Sequence, residues 1–378
     1  MNRAFRQDSR ISEKVGRSLV GALFLALAVS GSSNAAEQTQ AALQQPAAQA
    51  AIERINHYRA MLKLPPARLD PDLSAAAESH ARYLLENHVD AIDGELADGA
   101  VIEKIRQDEP HHEASNKPFY TAEAAHLAAR SIVVGATRVP QPAQVESYID
   151  QLMTKPFDVL VMLNPQIVLY GAGSYCNSAG CRIVMLRQAG MTPAQFGDFY
   201  RAGTDVYWFN TSGDRVWFTP RELREPIEFP PAGGRVEPGA FDGSSFPPAL
   251  RACEGYTAPT GRPIFVALGA PSSSADQVVR LGEYSISSGG KEIAACGYDA
   301  QSFYERATSD QSRIAEDKRD KALVEAKLAA QILAQTGAVM VIPREPLAPG
   351  GTYDVSITAD QRAFKWSFEV AKQSGANQ

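Results

Sequence analysis

Ile167-Val-Leu-Tyr-Gly-Ala-Gly-Ser-Tyr-Cys-Asn-Ser-Ala-Gly-Cys-Arg-Ile-Val-Met-Leu-Arg187 sets the architecture of the first half of the chain. Apolar and β-branched residues fill Ile167–Tyr175 and Arg182–Arg187, and the Asn-Ser-Ala-Gly between Cys176 and Cys181 has the makeup of a hairpin loop. What precedes it reads as helix. Ile52, Ile55, Tyr58 and Leu62 recur at helical spacing until Pro65-Pro66 stops them. Asp70 then offers an N-cap and Pro71 the first helical position of a second helix, with Leu73, Ala77, His80, Leu84 and His88 as its buried stripe. Thr121–Val134 and Ala143–Met153 read as two more helices, the last ended at Lys155-Pro156. Helices followed by a short sheet predict an α+β fold, here an α-β-α sandwich.

After about Asp214 the pattern changes to short β-type runs between Pro/Gly turns: Ile227–Phe229, Pro263–Leu268, Tyr284–Ser287, Ala338–Ile342, Tyr353–Thr358 and Phe364–Val370. In the last, Phe364, Trp366, Phe368 and Val370 alternate onto one face. Regular short strands with turn signals predict a β-sandwich. Ser309–Thr336 interrupts them as a charged helical insertion with Leu323, Val324, Leu328 and Ile332 on one face and a solvated face opposite. The 378 residues thus divide into a signal peptide at 1–36, a flexible Ala/Gln-rich leader at 37–49, an α-β-α domain at 50–214 and a β-sandwich at 215–371 with its insertion at 309–336.

The signal peptide is read from Arg3, Arg6, Arg10, Lys14 and Arg17, then the uncharged run Leu19–Val29, then Ser33-Asn34-Ala35 as the cleavage pattern. That run falls short of the roughly 20 apolar residues that span a bilayer, and no later segment is long and apolar enough either. The expected product, cleaved near Ala35, is a soluble periplasmic or extracellular protein. Export permits disulfides. Of the pairings open to four cysteines, 176–181 is favoured because it is local and 253–296 because it lies in the other domain. With 37 Lys+Arg against 43 Asp+Glu the net charge is −6, which excludes a polyanion such as nucleic acid as the natural partner.

The densest polar cluster is Pro110-His111-His112-Glu113 with Phe119-Tyr120-Thr121-Ala122-Glu123 behind it. Such a set can ligate a metal or act as acid and base. The H-x-E at His111–Glu113 lacks the P-C-x-x-C that a zinc deaminase needs. H-E-x-x-H, G-x-S-x-G and phosphate-binding glycine loops are absent as well. His126 follows Glu123 by one helical turn and shares its face. His80, on the apolar stripe, reads as a packing histidine.

Ser79-His80-Ala-Arg-Tyr83, His111-x-Glu113, Tyr120-Thr-x-Glu123, Lys155-Pro-Phe157 and Leu163-x-Pro165 together resemble the bacterial branch of the CAP superfamily, the cysteine-rich secretory protein, antigen 5 and pathogenesis-related 1 or SCP-like proteins, over roughly Ala50 to Arg187. The resemblance implies an α-β-α sandwich with a cleft of two histidines and two acidic residues that often holds a divalent metal. It puts His111 in the place of the first histidine, Glu123 in that of the first glutamate and Glu113 in that of the branch's extra acid. It also exposes departures: Asp158 stands where the second histidine should follow Pro156-Phe157, and Gln151 stands near the second glutamate. A cleft of His111, Glu113, Glu123 and Asp158, with His126 nearby, is harder and more anionic than one with two imidazoles. It favours calcium or magnesium over zinc, or no ion at all.

Pro226–Pro231, Arg344-Glu-Pro-Leu-Ala-Pro-Gly350, Thr352-Tyr353 and Trp366-Ser-Phe368 likewise resemble the Ig-like sandwich that follows CAP domains in some bacterial proteins. The expected function is a non-catalytic binding protein of the envelope or exterior with a degenerate cleft, its ligand a small molecule or lipid and its one conceivable cofactor a divalent cation. The alternatives are a metal- or carboxylate-assisted hydrolase and a structural or adhesive module pair.

Overall fold

The computed structural model describes residues 30–89, 112–128, 131–136, 142–189, 206–212, 215–220, 226–237, 239–269, 278–309 and 319–372. The chain divides into two units, Met1–Leu43 and Gln44–Gln378. The expected signal peptide lies outside the described residues up to Ser30, where helix α1 (Ser30–Met61) begins. The leader expected at 37–49 is therefore helical. Alanine favours helix without an amphipathic face, and Ala47, Ala50 and Ala51 are already buried.

Strand β1 (Arg68–Leu69) leads into α2 (Pro71–Glu86). Asp70 caps α2 as the sequence predicts, its Oδ1 accepting the Leu73 amide at 2.9 Å, with Pro71 in the first turn. The helix expected at 121–134 is two elements: α3 (Ala122–Ala128) and β2 (Ser131–Ala136). Ile132-Val133-Val134 is a β-branched run, and pairing with a neighbouring strand outweighs its weak helical period. After α4 (Pro142–Leu152), Pro156 starts a new helix, α5 (Pro156–Met162), because proline suits the first turn, where no amide partner is required. Strands β3 (Ile167–Asn177) and β4 (Gly180–Ala189) form the predicted hairpin, closed by the Cys176–Cys181 disulfide.

The sheet runs β1-β3-β4-β2, with β1 parallel to β3 and the other pairs antiparallel. Strand alternation gives it two apolar faces. Val133, Val184 and Leu186 meet Leu73, Ala77, Leu84 and Leu127 from α2 and α3. Ile132, Tyr170, Ala172 and Met185 meet Ile55, Ile149, Phe157 and Leu160 from α1, α4 and α5. Helix α2 lies close because β3 is bare under it: a Cβ on Gly171 would stand 2.2 Å from the Leu73 carbonyl carbon, and one on Gly173 2.2 Å from the Glu78 amide.

Hairpin β5 (Val206–Ser212) and β6 (Arg215–Pro220) follows. Ser212 of β5 pairs with Arg215 of β6, and residues 213–214 beside the border expected between 214 and 215 lie outside the described residues. Then come β7 (Ile227–Phe229), β8 (Arg235–Val236), β9 (Ala240–Phe241), β10 (Thr260–Gly261), β11 (Ile264–Ala267), β12 (Leu281–Ser288), β13 (Lys291–Glu292) and β14 (Ala295–Tyr298), two helices, α6 (Ala300–Ser309) and α7 (Arg319–Thr336), and finally β15 (Ala338–Pro343), β16 (Thr352–Ala359) and β17 (Arg362–Val370). Sheets β14-β15-β11-β7 and β13-β12-β16-β17-β8 face each other. Ile264, Val266, Val339 and Val341 from the first meet Ile286, Val355, Trp366 and Phe368 from the second. The Trp366 indole donates to the Pro230 carbonyl at 2.8 Å, and Cys253–Cys296 is bonded as expected.

The first of these sheets is covered on its other face too. Phe229, Phe265, Met340 and Ile342 belong to the same core as Ile55, Phe157 and Leu160 of the preceding domain. Helices α6 and α7 fill that layer. Of the helical insertion expected at 309–336, residues 310–318 lie outside the described residues. On α7, Leu328 and Ile332 of the expected apolar face are buried together with Ala329 and Leu333, Leu323 of that face is exposed, and Phe303 of α6 meets Phe157 edge to face at 5.7 Å. Arg262, only 1% exposed, spans the seam, donating to the Glu237 carbonyl at 2.7 Å and reaching the Met153 carbonyl at 3.5 Å. Asp150 accepts from Arg54 at 2.6 and 2.9 Å and from the Tyr58 hydroxyl at 2.8 Å.

Two measurements check this packing. Gly171→Ala forces α2 off β3 and is expected to lower unfolding free energy by about 1–3 kcal/mol in urea titration. Glu228, on edge strand β7, has its carboxyl pushed up by burial. A raised carboxyl pKa means that the folded state holds the proton more tightly, so stability falls as pH rises through the window between the unfolded and folded values. Glu228→Gln is therefore expected to be more stable than the parent at neutral pH, the gap closing below about pH 4, where the parent is protonated in both states.

Candidate functional site

Three residues of α2, His80, Tyr83 and Asn87 at its C-cap, recur at i, i+3 and i+7 and so lie on one face. Each grips the segment 113–121. His80 Nδ1 and Glu113 Oε1 lie 2.8 Å apart, with both side chains sealed from solvent. The Tyr83 hydroxyl accepts the Ala114 amide at 2.8 Å, and Asn87 Nδ2 donates to the Pro118 carbonyl at 2.9 Å. The second oxygen of Glu113 accepts the Thr121 amide at 3.1 Å, and the Thr121 hydroxyl in turn accepts the Ala124 amide at 3.2 Å as N-cap of α3. One buried carboxylate thus ties α2 to the start of α3.

At the tip of this loop Phe119 is 42% exposed and has φ of 62°. A bulky residue in the left-handed region is strained unless its surroundings hold it there. The Arg82 guanidinium does so, 4.2 Å from the Phe119 ring centroid and 5.5 Å from that of Tyr175 on β3. Tyr175 donates to Glu86 at 2.8 Å. Glu123 and His126 on α3 are both exposed.

The residues expected to form the cleft sit on separate elements. His111 lies outside the described residues. Glu113 is buried 33 positions along the chain from a partner that the sequence marked as mere packing. Glu123 and His126 stand exposed on α3. Asp158, 1% exposed, is carried by α5 in the helix layer on the opposite face of the sheet, so it does not join Glu113. Its motif position follows Pro156-Phe157, whose helix is drawn into the core by Phe157, Val159 and Leu160. Among the described residues no three His, Cys, Asp or Glu side chains gather as a metal site. A signal for the missed pair exists in the sequence: a histidine on an apolar stripe must find a buried partner for its ring nitrogens. Nothing local says which acid supplies it.

Residues 52–186 match the family model of the cysteine-rich secretory protein family, CAP. The match supports a CAP superfamily domain there. It spans α2, its strapped loop, α3, the whole of β1, β2 and β3, and β4 as far as Leu186, and it agrees with the resemblance drawn over Ala50–Arg187. No curated protein matches the chain. The two disulfides agree with a chain that works in an oxidising compartment, and no described helix is long and apolar enough to cross a membrane.

The strap of the CAP domain is open to direct test. Glu113→Ala leaves the His80 imidazole buried without that carboxylate, at an expected cost of about 1–3 kcal/mol. Amide exchange should quicken at Ala114 and Thr121 while the amides of β3 and β4 keep their protection, which hydrogen-exchange NMR resolves residue by residue.

Proposed function

We propose that this is an exported bacterial CAP-domain protein that binds a ligand or ion without catalysis, followed by an Ig-like sandwich. The observation that carries the reading is the sealed His80–Glu113 pair. A general base must come within hydrogen-bond reach of its substrate, and here the imidazole of His80 and the carboxylate of Glu113 face each other inside the protein. Both Glu113 oxygens are engaged, one by His80 and one by the Thr121 amide. Binding is left to what the strapped loop presents: Phe119 over Arg82, with Glu123 and His126 alongside. An exposed aromatic held in place by a guanidinium offers an apolar ligand a surface that costs little to order. The acid and imidazole of α3 can meet a cation or a polar end group. Export rests on the N-terminal run of basic, apolar and small residues and on the two disulfides.

Several measurements on one preparation test this. The mature protein recovered from outside the cytoplasm should begin near Ala36 by N-terminal sequencing. It should bind zinc no tighter than micromolar by calorimetry and show no turnover on peptide, ester or glycan libraries. Turnover that disappears in Glu123→Gln with the fold intact would make it a hydrolase. Ligand capture unchanged on joint substitution of Phe119, Glu123 and His126 by Ala would make the CAP surface a spacer.

A further inference from the structure

Where the CAP domain meets the sandwich, the shared core leaves a gap. Leu160 and Leu163 at the end of α5, Ile227 of β7, and Phe265 and Ala267 of β11 line a cavity of about 150 Å³. Its origin is local. Ala267 lies between Ala338 of β15 and Ile227 of β7, so the end of the sheet is shallow just where the helix layer crosses it. The far wall cannot collapse inward, because Leu268 donates to the Gly337 carbonyl at 3.0 Å and Gly269 to the Thr336 carbonyl at 3.2 Å. A Cβ on Gly337 would stand 2.2 Å from the Gly269 oxygen, so the two backbones are already in contact. Protein interiors are otherwise close-packed.

The lining mixes apolar and uncharged polar residues. Among the described residues no ionisable side chain lines the cavity, in a chain whose residues are 21% charged. Its walls are aliphatic and aromatic, and the polar groups on its solvent side are the uncharged amides of Asn164, Gln166 and Gln335. A cavity of about 150 Å³ has room for one benzene-sized ring, and ligand sites favour domain interfaces with a few orienting polar groups. We infer that the seam cavity binds a small uncharged molecule made of one ring with a single hydrogen-bonding substituent, the ring against Leu163 and Phe265 and the substituent at the amides of Asn164 and Gln166. The site shares no residue with the α3 rim, so it stands or falls independently of the function proposed above.

Benzyl alcohol and indole serve as probes, with benzoate as the charged counterpart, against full-length protein carrying labelled methyl groups. Saturable shifts confined to the methyls of Leu160, Leu163 and Ile227 are expected with the neutral probes. Benzoate should bind about tenfold more weakly or worse, since its charge would be buried without a partner. Ala267→Leu fills the space and is expected to weaken the neutral probes by a similar factor. Shifts that do not saturate, that map elsewhere, or that benzoate reproduces at equal affinity overturn the assignment. These readings come from the parent protein and decide the matter even if Ala267→Leu does not fold. A folded Ala267→Leu that binds as the parent does also overturns it.

Discussion

Strands β11 and β15 are out of water along their whole length, and on both faces. Ile264, Val266, Val339 and Val341 turn toward the second sheet of the sandwich, while Phe265, Ala267, Met340 and Ile342 turn toward helices. A sheet covered on one side alone can fold as an independent module, with polar residues alternating outward. This one cannot, because its outward residues are apolar and belong to the core of α1, α4 and α5. Burial of each such side chain is worth about 1.5–3 kcal/mol, so parting the two regions would expose several of them at once. The insertion between β14 and β15 follows from the same constraint. Helices α6 and α7 cover the part of that face that the CAP helices do not reach, and Leu328, Ile332 and Leu333 close it.

The polar groups of the CAP domain answer to a second constraint, the need of buried hydrogen-bonding atoms for partners. His80 is fixed in α2 by the capped start at Asp70 and by the apolar stripe around it. Its ring then needs an acceptor or donor inside the protein, and Glu113 fills that need. The consequence spreads outward from there: the second Glu113 oxygen fixes Thr121, Thr121 caps α3, and α3 sets the direction of Glu123 and His126. The loop between is pulled tight enough to hold Phe119 in the left-handed region over Arg82. The exposed rim is thus a by-product of a buried hydrogen bond.

Much of this was legible in the residues, and the parts that were not share a cause. Asp70-Pro71, the β3–β4 hairpin with its disulfide, and the alternation of Phe364, Trp366, Phe368 and Val370 are local signals, each complete within one short stretch of chain, and each predicted element is present. The CAP match over 52–186 agrees with motifs read from spacing. Val133-Val134 was read as helix because a short apolar run carries no period that separates helix from strand. Pro156 was read as a stop because the same residue ends one helix and begins another. The His80–Glu113 pair, the sheet side of Asp158 and the packing role of α7 are different in kind. They depend on which surfaces meet across 33 or more positions, and composition cannot report that. Lys321 and Lys327 of α7 are plain in the sequence; the layer waiting for its other face is not.

A shared core also changes what the second region can be. A spacer or docking module closes on itself and hangs from a linker, so that its removal leaves the neighbour intact. Here Arg262 reaches from between β10 and β11 to the Met153 carbonyl at the end of α4, and its guanidinium lies 5.5 Å from the Phe229 ring. Burial pushes its pKa down while the nearby Tyr58 and Asp150 hold it up. A buried cation kept in place by groups from both regions is costly unless both are present. The residues around it and the two-faced sheet favour one folding unit over two modules joined in series. Any ligand held by this protein therefore acts on a single body, and a cavity at the seam lies where occupancy can couple the CAP fold to the sandwich behind it.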